Sequence, residues 1–216
     1  MSCPDPVPPG LPFFPPNCSS ISGGSWLVGV GPIPFASEEP LNIVISGLSS
    51  PEVLTDDGFT NFANSIGFSH GCLGIDNGST QTANLGDGNG FIPQTLLLRE
   101  DYGVPDVGSC LDSLLGGTRF RVFRQNGTDA PTNALFLAVA IEDGTIEGGR
   151  TIASDGYDLG RDQVVLAAVG TTSFAGITYH TTAVTLHEVT ASGSQGVNHN
   201  ISIDGNTVLL TIEIII

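Results

Sequence analysis

Four cysteines, four histidines, two adjacent pairs of acids and one glycine-rich acidic turn are the places in this 216-residue sequence where side-chain type and spacing could support chemistry. Cys3, Cys18, Cys72 and Cys110 include no C-x-x-C pair and have no paired histidine motif, so they carry no zinc signature. An even set in a secreted chain permits two disulfides, in any of three connectivities. His70 lies two residues before Cys72 and could ligate a metal with it only if that thiol were free. His180 and His187 are seven apart, which in a strand puts them on opposite faces, and His199 has no metal-ligand spacing. The segment Leu85–Gly90 offers Asp87 and Asn89, with Asp76 upstream, as oxygen ligands for calcium. It lacks the lysine of a phosphate loop, and the twelfth position of an EF-hand falls on Leu98, so it reads as a turn. Ser192–Gly196 fails the G-x-S-x-G elbow at its first position. Glu38–Glu39 and Asp56–Asp57 could serve as the paired acids of glycoside hydrolysis. The second pair is better explained by a helix start and the first by a proline-flanked loop. No catalytic residue, metal site or cofactor is expected.

The asparagines speak to compartment. Asn17, Asn77, Asn126 and Asn200 each begin an N-x-S/T tripeptide, a mild excess over chance and the acceptor pattern for N-glycosylation. The chain has no lysine at all, which suits an extracellular protein. Residues 1–20 hold seven prolines and no positive charge, unlike the basic, apolar start of a secretory signal. The chain reads as a mature secreted domain, with Met1 supplied for expression.

Six arginines against 22 acids give a net charge of -16, although only 13% of residues are charged and 40% are hydrophobic. So acidic a chain has no footprint for nucleic-acid phosphates. Its low charge density opposes intrinsic disorder, and no apolar run is long enough to span a bilayer as a helix. Arg119, Arg121 and Arg124 hold half of the positive charge within six residues, and pairing with acids of the same chain is the expected use.

The elements that would position these groups follow from periodicity. Ten of the fourteen prolines lie in the first 40 residues, and residues 1–24 read as a Pro-rich arm that cannot join a sheet ladder. A Cys3–Cys18 bridge would close that arm as a loop and leave Cys72–Cys110 as the second pair. Strands are expected over 26–30, 41–45, 95–98, 119–124, 134–141, 177–189 and 208–216. Residues 119–124 alternate, with Phe120 and Val122 on one face and Arg119 and Arg121 on the other. Phe59, Phe62, Ala63 and Ile66 recur at helical spacing after Thr55, and short helices are also expected over 110–115 and 161–169. Residues 71–94 read as a long polar loop. The fold class is α+β: residues 25–216 form one domain with a mainly antiparallel or mixed β-sheet and two or three short helices.

Several of these stretches resemble a family of secreted basidiomycete proteins that includes the small subunit of heterodimeric laccases. They are Pro40–Phe59 (PLNIVISGLSSPEVLTDDGF), Asn64–His70 (NSIGFSH), Gln81–Gly88 (QTANLGDG), Phe120–Gly127 (FRVFRQNG) and Asp155–Asp162 (DGYDLGRD), followed by Gly196–His199 (GVNH) and Val208–Thr211 (VLLT). The likeness runs from about residue 25 to the C-terminus, and none of the segments is a catalytic motif. It implies a noncatalytic accessory role: binding a laccase large subunit, or another secreted protein, and stabilising it. No H-x-H pair of the kind that holds laccase copper is present. Two other function classes remain open on the residues alone, a carbohydrate-binding or glycoside-active protein and a self-assembling surface protein using the isoleucine-rich C-terminus. A large exposed apolar patch would favour contact, and a cleft combining carboxylates with aromatic walls would favour sugar.

Overall fold

The computed structural model describes residues 11–16, 23–30, 35, 37–70, 80–104, 107–144 and 151–215. Their architecture is three-layered and α+β, as expected. The central layer is an eight-stranded mixed sheet. Its strands are β3 (Ile43–Ile45), β4 (Phe68–His70), β7 (Leu96–Glu100), β8 (Gly116–Arg124), β9 (Leu135–Asp143), β10 (Gly170–Phe174), β11 (Ile177–Leu186) and β12 (Thr207–Ile215), in the spatial order β10-β11-β12-β3-β9-β8-β7-β4. Helices α1 (Asp56–Ser65) and α3 (Gly156–Ala168) lie on one face. The other face carries a four-stranded sheet, β2 (Ser37–Pro40), β1 (Leu27–Val30), β5 (Thr82–Asn84) and β6 (Phe91–Pro93), together with α2 (Gly108–Leu115) near the β7 side.

Strand alternation builds two cores at once. Leu98, Phe120 and Val139 sit opposite one another on β7, β8 and β9 and meet Phe59, Phe62 and Ala63 of α1 and Val164 and Ala168 of α3. The intervening residues Phe136 and Ala138, with Phe123, face Trp26, Val28, Ala83 and Leu85 of the small-sheet side. The C-terminal strand is not an edge: β12 pairs antiparallel with β11 and parallel with β3, which buries Leu210 and Ile212. That accounts for the apolar C-terminus without invoking an interface.

Local chemistry sets the helices. Thr55 caps α1, its Oγ1 accepting the Gly58 N–H at 3.0 Å, and Asp56 and Asp57 complement the helix dipole in the first turn. α3 crosses β9 at Gly160, where a Cβ would come within 3.0–3.2 Å of the Ala140–Ile141 backbone, so any larger residue would have to push the helix and strand apart by a few tenths of an ångström. Buried Asn42 completes the junction: its Nδ2 donates to the Val139 and Tyr157 carbonyls, and its Oδ1 accepts the Val139 N–H.

The structure departs from the sequence expectations at four places. Residues 82–84 and 91–93, expected as loop, are strands β5 and β6, because one small sheet captures their backbone. Glu38–Glu39, expected in a loop, lie in β2. α3 begins at Gly156 rather than Arg161, and residues 170–174, expected as a break, form β10, which turns into β11 through Ala175 and Gly176, both at positive φ. Of the N-terminal arm, residues 11–16 are described and are held on the body. Gln125, fully buried, accepts the Phe14 N–H and donates to the carbonyls of Phe14 and Leu85, while Phe13 packs edge-on against Trp26 and Phe136.

Candidate functional site

Among the described residues, the cysteine, histidine, glycosylation and calcium candidates of the sequence do not converge. Cys110 sits on α2 and is disulfide-bonded, while Cys3, Cys18 and Cys72, and with them the expected pairing, lie outside the described residues. Asn126 and Asn200 are exposed, as a glycan acceptor must be; Asn17 and Asn77 fall outside the described residues. His70, His180, His187 and His199 stand on separate elements, and no group of three metal-ligating side chains occurs among the described residues. Asp87 is buried, and its carboxylate accepts N–H groups from Asn89, Asn126 and Gly127 at 2.8–3.1 Å. Asp87 thus clamps the turn at residues 126–129, whose Asp129 N–H also donates to the Asp87 carbonyl, while Asp76 lies outside the described residues.

The arginines do converge. Because β8 alternates, Arg119 and Arg121 project opposite Phe120 and Val122, and Arg99 of β7 lies directly across from Arg119. The three guanidiniums meet three carboxylates in the interior. Arg99 bonds Asp112 of α2 at 2.8 Å and Glu142 of β9 at 3.0 Å. Arg119 bonds Glu142 and, at 3.1 Å, Glu39 of β2. Arg121 comes no closer than 3.8 Å to Glu39, and its Nε and Nη1 make no hydrogen bond. Burial alone would raise the Glu39 carboxyl, yet the charges of Arg119 and Arg121 hold it below its ordinary range. Glu142, opposed likewise by burial, is held down to about 2 by Arg119 and Arg99. Burial, with Arg119 alongside, pushes Arg121 down to about 10. The network cross-links β2, β7, β8, β9 and α2, and all of its members are at or near full burial. Such a network fixes which surfaces face each other more than it adds stability.

Its consequence for α2 is an inverted helix. Asp112 must reach Arg99, so Asp112 and Ser109 take the buried side. Leu111, Leu114 and Leu115 are thereby turned to solvent at 42, 50 and 59% exposure. Val107 at the helix start and the preceding Tyr102 and Val104 are also exposed, and the Tyr102 hydroxyl donates to the Gly116 carbonyl at the helix end. Six large apolar side chains thus sit within one short stretch, wrapped around a polar anchor. An arrangement of this kind can exclude water from a contact.

The chain matches no protein-family model, no curated protein and no solved structure.

A short helix over 110–115 is expected from the sequence and is present, but its leucines point outward, against the usual burial of an apolar stripe. The readable signal is Ser109 and Asp112, three apart and so on one face, against Leu111, Leu114 and Leu115 on the other. Which face is buried depends on Arg99, which comes from a strand and lies in no helical register with Asp112.

Proposed function

We propose that this protein is a secreted, noncatalytic accessory subunit that binds another secreted protein through the outward face of α2, in the manner of the small subunit of heterodimeric laccases with its copper oxidase partner. The observation that carries this reading is the inverted polarity of α2, where leucines face solvent because an aspartate is required inside. The segments quoted above that resemble the laccase-associated family support the choice of partner. A partner that engages only folded protein stabilises it by mass action, by about 2.7 kcal/mol at a hundredfold excess over its Kd. That is the physical route by which a chain without catalytic groups would protect an oxidase.

Two measurements test the reading. Native culture medium fractionated without denaturant should yield this chain together with a copper oxidase in one complex. Elution of the chain alone sinks the proposal. In a reconstituted pair, the double substitution Leu114→Asp, Leu115→Asp should abolish association while leaving the melting temperature of the free chain nearly unchanged, since both side chains are already solvated.

A further inference from the structure

The connection between β11 and β12, residues 187–206, is long and is folded on itself by a 3-10 turn, Asn198–Asn200, and a bridge between Gly193 and Ile203. Two concavities open along it. One, of about 380 Å³, has apolar and aromatic walls that include Phe13, Trp26 and Leu186, with His187 and Glu188 at its side. The other, of about 510 Å³, is lined by Thr190, Ser192 and Asp204. They share Glu188 and Val189, so the two adjoin as halves of one candidate groove, the first aromatic and the second hydroxyl-rich.

The polar groups of this groove are preorganised through one side chain. Asn206 Oδ1 accepts the Glu188 N–H at 3.3 Å and lies 3.2 Å from His187 Nδ1, which orients the ring. Asn206 Nδ2 and N–H both donate to the Asp204 carboxylate, which Arg161 grips with two further bonds at 2.7 and 3.0 Å. Asp204 is therefore an anchor with its oxygens filled, whereas the Glu188 side chain is exposed. Glu188 is also held at φ +54°, a left-handed conformation that a non-glycine residue adopts at a cost and that re-aims its side chain.

We propose that this groove is a saccharide-binding site, separate from the α2 face and independent of the accessory reading. A neutral sugar chain presents C–H faces that pack on aromatic and aliphatic walls and hydroxyls that need carboxylate, imidazole and hydroxyl partners. Phe13 and Leu186 supply the first, and Glu188, His187, Thr190 and Ser192 the second. An organic cation is the competing ligand for an aromatic wall beside a carboxylate, and binding of such a cation alone counts against the saccharide.

Trp26 is the only tryptophan in the chain and lines the groove, so its emission reports occupancy directly. Titrations of the intact protein with cellotetraose, xylotetraose and chitotetraose, with tyramine as an aromatic-cation control, are the test. At least one saccharide should give a saturable change in Trp26 emission, and Glu188→Ala and Asn206→Ala should each weaken it by about tenfold or more. Ser192→Ala, an exposed change that leaves the fold intact, should weaken it measurably even if Asn206→Ala destabilises the loop. The proposal is overturned if all three sugars leave Trp26 and the His187 ring resonances unmoved, if tyramine alone binds, or if the variants bind as the wild type does.

Discussion

Arg119 and Arg121 are the same residue type, two positions apart on one strand, and the structure assigns them different energetic roles. Arg119 has near-complete burial, bonds two carboxylates and is correspondingly raised in pKa, while Arg121 keeps two unbonded nitrogens. Removing one member of a buried ion pair leaves a charge uncompensated and costs about 3–5 kcal/mol, whereas replacing a poorly bonded one by an apolar isostere is close to neutral. Urea unfolding should therefore show Arg119→Met destabilised by about that amount and Arg121→Met changed by less than about 1 kcal/mol. Equal losses for the two would mean that the network works as a unit. Gln125 offers a second test at this scale. Its amide serves the Phe14 N–H, two buried carbonyls and the Thr132 hydroxyl, so Gln125→Ala should cost roughly 3 kcal/mol and move the Trp26 emission as Phe13 lifts away.

Elements here are joined by charge as often as by hydrophobic contact. α3 is tied to the turn before β12 through Arg161, which bonds Asp158, Asp162 and Asp204. Asp158 and Asp204 then titrate apart. Burial, reinforced by the neighbouring Asp204 charge, pushes Asp158 up to about 6, while the Arg161 and Asn206 donors overcome burial to hold Asp204 down at about 2. A carboxyl raised on folding binds its proton more tightly in the native state, so Asp158 favours folding at low pH and that contribution is lost as pH rises from 3.8 to about 6. Asp204, depressed on folding, contributes above 3.8 and its contribution is lost as pH falls towards about 2. Asn at position 158 mimics the protonated acid and can still accept the Asp204 N–H that Asp158 accepts at 2.9 Å. Denaturation midpoints of Asp158→Asn and wild type should coincide near pH 4 and separate above pH 6 with the variant more stable; a wild-type advantage at neutral pH would contradict the assignment.

At the scale of the whole molecule, the net charge of -16 hides an interior where most of the scarce cations are spent. Every described arginine makes an ion pair with an acid of the same chain, which leaves the surface strongly acidic and suited to remaining soluble. The pattern of β8 is legible in the amino-acid order, since alternation alone separates Phe120 and Val122 from Arg119 and Arg121. The same holds for α1, whose cap, acidic first turn and apolar residues Phe59, Phe62 and Ala63 at i, i+3 and i+4 all agree. The short strands β2, β5 and β6 are not legible there, because SEEP, TAN and FIP are too short to show an alternating pattern and are fixed as strands by pairing with β1 or β5. Nor is the groove, whose walls come from the N-terminal arm, Trp26 just before β1, the end of β11 and the 187–206 connection. The α+β class, the alternating faces and the capped helix follow from periods and caps written within a few residues, and the linear order of side chains is enough to specify them. That Asp112 lies inside and Leu114 outside is settled only in three dimensions, since the choice depends on Arg99, thirteen residues away on a strand, and on the cost of leaving its charge buried without a partner.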